Sequence, residues 1–183
     1  AMNDDGTING SDNLLVLDED KTLDVKKSYT GATMLLHRTF TKNATNDKKG
    51  WNSIILPVDM TAAQVKEAFG EGVQMAEFDR LENNCIKFST VDVAADGVVL
   101  KKNTPYIIYP TKEPLNNYSY TTIDGETNTL NGPVYVATGI DYVDQTSELE
   151  HTVNGGGMTY TGSYSNPTTG LADYYMFSKG AFS

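Results

Sequence analysis

Histidine and cysteine, which often carry nucleophilic or metal chemistry, are rare in this chain. The 183 residues include two histidines, His37 and His151, and one cysteine, Cys85. The histidines form no His-Glu-x-x-His zinc motif, and the sequence contains no Gly-x-Ser-x-Gly elbow for a serine nucleophile. We expect both histidines to lie at the surface. Cys85 falls inside an apolar strand pattern and is expected to be a small buried hydrophobic residue.

The 24 acidic residues could in principle serve glycoside hydrolysis or calcium binding. A glycoside hydrolase uses a pair of carboxylates, but among so many acids some pair is always suitably spaced, so their number does not discriminate. Calcium prefers several loop oxygens, and residues 18–20, 92–97 and 141–144 bring carboxylates close in sequence. None of these segments has the spacing of a twelve-residue calcium loop. Charged turns that keep strand edges soluble are the favoured interpretation, and no metal site is predicted.

A cofactor is not predicted either. The run Gly155–Gly157 lacks the strand, helix and lysine that flank a phosphate-binding loop, and it is typical of a hairpin tip. Neither this run nor the acidic segments therefore assign a catalytic residue to the chain.

Tyrosines are the most distinctive feature, because ten of the eleven lie from Tyr106 onward. Tyr118 and Tyr120 share one face of a predicted strand, and Tyr160 and Tyr164 share a face of another. Exposed tyrosine rings can stack on sugars or contact proteins. Tyrosine also favours strands for structural reasons alone, which is the simpler interpretation. These four tyrosines are the candidate ligand-binding residues.

Charge argues against a nucleic-acid partner, and hydropathy argues against a membrane-spanning helix. Lys and Arg total 14 against 24 Asp and Glu, so the net charge is −10 and a nucleic acid would be repelled. No apolar stretch approaches the roughly 18 residues of a membrane-spanning helix. The length suits a single domain, which we place at residues 13–183, and the polar residues 1–12 are expected to be disordered or left by trimming.

Short apolar runs separated by polar turns predict about ten strands. Ala32, Met34, Leu36 and Phe40 share one strand face, with Thr33, His37, Thr39 and Thr41 on the other. The run from Trp51 to Val58 predicts a buried strand in which Trp51 belongs to the core and Pro57 marks an edge or bulge. Further strands are predicted at 73–78, 84–91, 97–100, 105–109, 118–123, 133–140, 158–164 and 174–177.

One segment has helical signals instead. Thr61 and Gln64 form a capping box, Val65, Ala68 and Phe69 make a helical stripe, and Gly70 is a C-terminal stop. Many strands with a single short helix near residues 61–69 predict an all-β fold, specifically an antiparallel, jelly-roll-like β-sandwich.

Three segments resemble a known family. They are Gly50–Asp59 (GWNSIILPVD), Ala63–Gly70 (AQVKEAFG) and Thr104–Pro110 (TPYIIYP). Together they resemble secreted, surface-attached β-sandwich proteins of gut Bacteroidales to which a role in cell adhesion is ascribed. The segment Tyr160–Tyr164 is similar to a late strand of that family, and the resemblance covers roughly Gly31 to Phe177.

This resemblance implies an exported, non-enzymatic module at the surface of a gut bacterium, and it supplies no catalytic residues. We therefore expect a role in cell-surface adhesion or surface assembly, with a host glycan or a surface protein as partner. The alternative is a carbohydrate-binding module that uses tyrosine stacking, and a more remote one is a glycoside hydrolase. The chain shows no signal segment, but its start at Ala1–Gly6 is what removal of a leader would leave.

Overall fold

The computed structural model describes residues 13–19, 28–41, 50–121 and 125–143, and the backbone of four strands between residues 150 and 182. This part of the chain is rich in strands and contains one helix, α1 (Ala62–Phe69). The strands are β1 (Leu14–Asp18), β2 (Tyr29–His37), β3 (Asn52–Ile54), β4 (Met60–Thr61), β5 (Gln74–Glu82), β6 (Cys85–Val91), β7 (Val98–Leu100), β8 (Tyr106–Tyr109), β9 (Leu115–Thr121), β10 (Thr127–Tyr142), β11 (Glu150–Gly155), β12 (Met158–Ser163), β13 (Phe177–Ser178) and β14 (Ala181–Phe182). The predicted strand-rich class with one short helix is confirmed.

Two four-stranded sheets contain most of the described strands. The first has the order β1-β2-β10-β9 and the second the order β3-β8-β5-β6. The pairs β4–β7, β11–β12 and β13–β14 form smaller antiparallel sheets. The predicted antiparallel pairing is therefore confirmed for every described pair except one.

The exception is the pair β1–β2, which is parallel, with Leu14 opposite Thr33 and Asp18 opposite His37. Alternation in the sequence has the same period for both strand directions, so it could not reveal this. The continuous apolar run Leu14–Leu17, which is buried throughout, is typical of a parallel strand covered on both faces.

Both four-stranded sheets contribute to one hydrophobic core. Met34 of β2, Met75 of β5 and Ile108 of β8 all have no exposed surface and belong to the same cluster. Each Å² of apolar surface that such side chains bury stabilises the fold by about 25 cal/mol, so this cluster is the main source of stability. Among the described residues, no helix has the length and apolar character needed to cross a membrane.

Helix α1 begins at the predicted capping box. The Gln64 backbone nitrogen donates to Thr61 Oγ1 over 3.4 Å, and the Thr61 backbone nitrogen donates to Gln64 Oε1 over 2.9 Å. The helix buries Val65, Ala68 and Phe69, as its stripe predicts. The Phe69 ring lies 6.0 Å from that of Phe40 and 5.5 Å from that of Tyr135, so the helix joins the core through aromatic contacts.

The C-terminal end of α1 is closed by the segment that follows β8. Gly70 ends the helix with a φ of 111°, as predicted, and its backbone nitrogen donates to the Lys66 carbonyl. The backbone nitrogens of Thr111 and Lys112 both donate to the Phe69 carbonyl, over 2.8 and 2.9 Å. A Cβ on residue 70 would lie 2.7 Å from the Lys112 nitrogen, so this close approach needs glycine.

The expected burial of Cys85 is wrong, because its side chain is exposed. Asn83 and Asn84 both adopt positive φ (50° and 60°) in the two-residue turn between β5 and β6, and Glu82 pairs with Cys85 across it. Cys85 therefore begins an edge strand at a hairpin tip, where no further strand of the described sheet covers it.

The expectation that Trp51 belongs to the core also needs correction. Trp51 is only half-buried and contacts the half-buried ring of Tyr109, with centroids 5.7 Å apart. The strand it was expected to open is short, since β3 ends at Ile54, and residues 55–58 are buried without strand pairing. Pro57 lies in this stretch outside the strands, which suits proline because it has no backbone donor for a sheet.

We predict that Gly70→Ala lowers the free energy of unfolding by at least about 1 kcal/mol more than Gly97→Ala does. Both substitutions place alanine at a positive φ, which costs about 1–2 kcal/mol. Only position 70 also faces a backbone atom, whereas a Cβ at position 97 meets nothing within 4 Å. Urea denaturation of both variants measures the difference, and equal losses would contradict the close approach at Gly70.

We predict that stability falls above about pH 10 and that Tyr135→Phe reduces the slope. Burial raises the pKa of Tyr135 well above its usual value near 10, and the charge of Glu113 adds to the effect. Above pH 10 the unfolded chain loses this proton while the folded chain keeps it. The contribution of Tyr135 to the free energy of unfolding is therefore fully present below pH 10. As the pH rises from 10 to the folded pKa, this contribution is lost by about 1.4 kcal/mol per pH unit.

Urea denaturation of Tyr135→Phe and the unchanged chain from pH 8 to pH 11 checks this. The offset at pH 8 gives the contribution of the hydroxyl in its neutral form, so only the change of slope above pH 10 tests the titration. Parallel stability curves over the whole range would refute it.

Candidate functional site

The outer face of the first sheet, which points away from the main core, carries a second hydrophobic cluster. Its buried members come from the three strands β1, β2 and β10, and are Leu14, Val16, Leu35 and Val134. Half-buried side chains of β9 and β10 pack against them, namely Tyr118, Tyr120, Leu130 and Val136. We call these eight residues the outer cluster.

Two of the four candidate tyrosines belong to the outer cluster. Tyr118 pairs with Leu130 and Tyr120 pairs with Asn128 across the antiparallel β9–β10 ladder. Both rings are half-buried, and burial raises the pKa of the Tyr120 hydroxyl. Each ring thus supports the cluster while part of its surface stays open to solvent.

Alternation along β9 separates this face from an exposed polar one. Asn117 and Ser119 lie between the tyrosines in sequence and are exposed. Ser119 Oγ and Thr129 Oγ1 form a cross-strand hydrogen bond of 2.9 Å. Within the described pairings β9 is the last strand of its sheet. The two tyrosines therefore lie side by side on an edge strand.

Asn128, opposite Tyr120, carries an unmet hydrogen-bond donor. Its side-chain nitrogen Nδ2 has less than 1 Å² of exposed surface and no hydrogen-bond partner, although the residue as a whole is only half-buried. A buried donor without an acceptor costs about 1–3 kcal/mol, so such groups are rare in folded proteins. Residue type and spacing did not single out Asn128, because its position beside Tyr120 depends on the β9–β10 register.

The described part of the structure does not test the other two candidate tyrosines. Tyr160 lies on β12 opposite Val153, where only the backbone is described. Tyr164 lies outside the described residues. Their role stays a prediction, as does that of His151, whose strand β11 is described by its backbone alone.

A polar cluster lies at the end of the parallel pair β1–β2. It shows that the expected surface position of His37 is wrong. His37 Nδ1 lies 2.8 Å from Asp18 Oδ1, and both side chains are largely buried, at 14% and 13% exposure. Their strands pair in register, which places the two side chains on the outer face. His37 is thus largely buried beside Asp18 and is not an exposed surface residue.

The neighbouring residues Glu19 and Arg38 form an ion pair on the core side. Glu19 Oε2 lies 3.1 Å from Arg38 Nε, and Glu19 Oε1 accepts from the Thr39 backbone nitrogen over 2.7 Å. Arg38 Nη2 donates to the Ser53 carbonyl over 2.6 Å, and the guanidinium lies 5.1 Å from the centre of the Phe40 ring. This arrangement ties the first sheet to β3 of the second.

In each of the three acidic segments considered for calcium, at least one described carboxylate is engaged within the protein. Asp18 pairs with His37, Asp92 accepts from the Ala94 nitrogen in its own turn, and Asp141 accepts from the Gly31 nitrogen over 2.8 Å. Among the residues whose side chains are described, no group of three or more His, Cys, Asp or Glu could hold a metal ion.

The chain was compared with protein-family models, with curated proteins and with solved structures, and nothing matches it. The resemblance of the segments around Trp51, Phe69 and Tyr106 to Bacteroidales adhesion proteins therefore stays an expectation from the sequence.

We predict that Glu19→Gln lowers the free energy of unfolding by about 1.5–3 kcal/mol. The substitution keeps the side-chain volume but removes the charge that Glu19 presents to Arg38, in a site where Glu19 is 8% exposed. The control is Glu82→Gln, whose carboxylate pairs with Arg80 at the surface over 2.6 Å and should contribute much less, because solvent screens the pair. Similar losses for the two variants in urea denaturation would contradict a special role for the buried pair.

Proposed function

We propose that this chain is a non-enzymatic, exported binding module that serves cell-surface adhesion or surface assembly in a gut bacterium. The observation that carries the proposal is the position of Tyr118 and Tyr120, which lie half-open to solvent on one face of an edge strand. Aromatic side chains with one apolar and one accessible side are enriched at binding surfaces. Export and taxonomic setting follow from the resemblance alone.

The finer architecture belongs to the same proposal. We propose that the two four-stranded sheets are the layers of a jelly-roll-like β-sandwich, since residues from both sheets meet in one core. In such an arrangement each layer has an outer face, and the outer cluster occupies that of the first sheet. A rigid sheet is a suitable platform for a binding surface, because it fixes the spacing of its side chains.

The polar groups that join the described elements support a structural role more than a catalytic one. Glu19 and Arg38 use their charges on each other and on backbone groups, as does Glu67, whose carboxylate accepts from the Thr138 nitrogen and hydroxyl. Such contacts fix strands and the helix in place. The proposal accordingly assigns no catalytic residue.

A carbohydrate-binding module is the second candidate, and the tyrosine pair is the observation that favours it. Residues two apart on one strand are separated by about 6.8 Å, so the two rings can contact neighbouring sugar units of one chain. Stacking on a ring face is favourable for sugars because they present apolar C–H groups there.

We predict that Tyr118→Ala and Tyr120→Ala each weaken ligand binding by at least about 1 kcal/mol, the usual threshold for an important contact residue. The purified chain is first applied to an array of glycans and mucins, with and without calcium, and to surface proteins of the same bacterium. Affinity for the best ligand is then measured by calorimetry. Tyr109→Ala is the matched control, since Tyr109 is a half-buried tyrosine on the second sheet.

Binding that is unchanged in both β9 variants, or reduced equally in Tyr109→Ala, would show that the tyrosines on β9 serve only the scaffold. Hydrolysis of any glycan on the array would overturn the non-enzymatic assignment. A requirement for calcium would return the acidic segments to consideration as ligands.

A further inference from the structure

We infer that Tyr118 and Tyr120, the half-buried tyrosines of the outer cluster, bind an uncharged saccharide and that the side-chain amide of Asn128 donates a hydrogen bond to an oxygen of that sugar. The inference rests on the carbohydrate-binding candidate above and adds two things to it: the chemical class of the ligand and a polar residue that orients it. Three observations support it, concerning charge, the unmet donor and the neighbours of that donor.

The first observation is that this part of a strongly acidic chain carries no charge. Strand β9 contains no charged residue, and β10 contains none before Asp141. The closest charged residue in sequence is Glu126, two residues before Asn128, and it already has an interaction of its own. Within the strands of the outer face the closest charged groups are Asp18 and His37, which pair with each other. An acidic sugar would meet no cationic partner here, and it would be repelled by a molecule of net charge −10. A cationic ligand would find no free carboxylate on these strands. An uncharged ligand fits best.

The second observation is the unmet amide of Asn128. A buried donor without an acceptor lowers stability, so its presence needs a reason other than folding. A ligand oxygen provides one, because it would satisfy Nδ2 only in the complex. The inference therefore includes a rotation of the Asn128 side chain that brings Nδ2 to the surface, where part of this half-buried residue already lies.

The third observation is what surrounds the amide. Tyr120 lies directly opposite Asn128, and the neighbouring pair on the same face is Tyr118 with Leu130. Two tyrosines and one leucine are thus the neighbours of the Asn128 amide in the β9–β10 ladder. Ligand sites commonly combine an apolar lining with a few placed polar groups. Sugars match this combination, since each unit has an apolar ring face and hydroxyl oxygens at its rim.

The test compares Asn128→Leu with the unchanged chain in both binding and stability. The neutral probes are cellotetraose and lacto-N-tetraose, and their acidic counterparts are tetragalacturonate and sialylated lacto-N-tetraose. We expect binding of a neutral probe and about threefold to tenfold weaker binding by Asn128→Leu, as for the loss of one hydrogen bond. We also expect its Tm to rise by about 2–4 °C, because the unmet donor is gone.

Two further variants keep the test sharp. Asn128→Asp preserves the shape of the side chain but removes the donor, so it should also lose binding even if the leucine variant folds poorly. Asn117→Leu is the matched control, because Asn117 lies exposed on the opposite face of β9 and its replacement should leave binding unchanged.

Weaker binding together with a higher Tm in Asn128→Leu supports the inference, since a merely structural asparagine would lower both. Unchanged binding in Asn128→Leu and Asn128→Asp overturns it, while a loss in Tyr118→Ala would still support sugar stacking. Equal or tighter binding of the acidic probes overturns the ligand class. Binding to a surface protein but to none of the four sugars overturns the inference and leaves the adhesion or assembly function standing.

Discussion

Burial on both faces of the β2–β10 pair is the constraint on which the rest of the structure depends. Met34 and Ala137 face the main core, while Leu35 and Val134 belong to the outer cluster, and all four are at most 1% exposed. A sheet that is apolar on both sides must be covered on both sides. The second sheet and α1 cover one face, and on the other face side chains of β1 and β9 pack beside those of β2 and β10. The candidate site lies on β9, where the members of this outer cluster are tyrosines.

Helix α1 is the other element that this central pair positions. Gln64 completes the capping box and also donates to the Thr138 and Gly139 carbonyls of β10, over 3.1 and 2.8 Å. These carbonyls are available because the β2–β10 register shifts between Ala137 and Ile140, where Gly139 has a φ of 70°. One bulge in a long strand thus anchors the helix, and the helix in turn brings Phe69 against Tyr135.

The parts of this molecule that the sequence predicts are those where local residue types dictate conformation. Thr61, Gln64 and Gly70 determine the limits of α1 through contacts within a few residues, so the helix is predictable. Cys85 and His37 are not, because a period-two pattern does not distinguish an edge strand from a central one. Within the site, Tyr118 and Tyr120 follow from alternation alone. Asn128 requires the β9–β10 register, which depends on long-range pairing that no local pattern encodes.

The Asn83–Asn84 turn has a practical consequence, because it presents the only thiol of the chain at the tip of an exposed hairpin. Air oxidation can join two copies through Cys85. A covalent pair would attach to a glycan-coated surface at two points, and its apparent affinity could exceed that of one copy by a hundredfold or more, on the order expected for bivalent attachment. The same thiol accepts a single dye or biotin on the second sheet, away from strand β9. Cys85→Ser therefore separates intrinsic affinity from avidity.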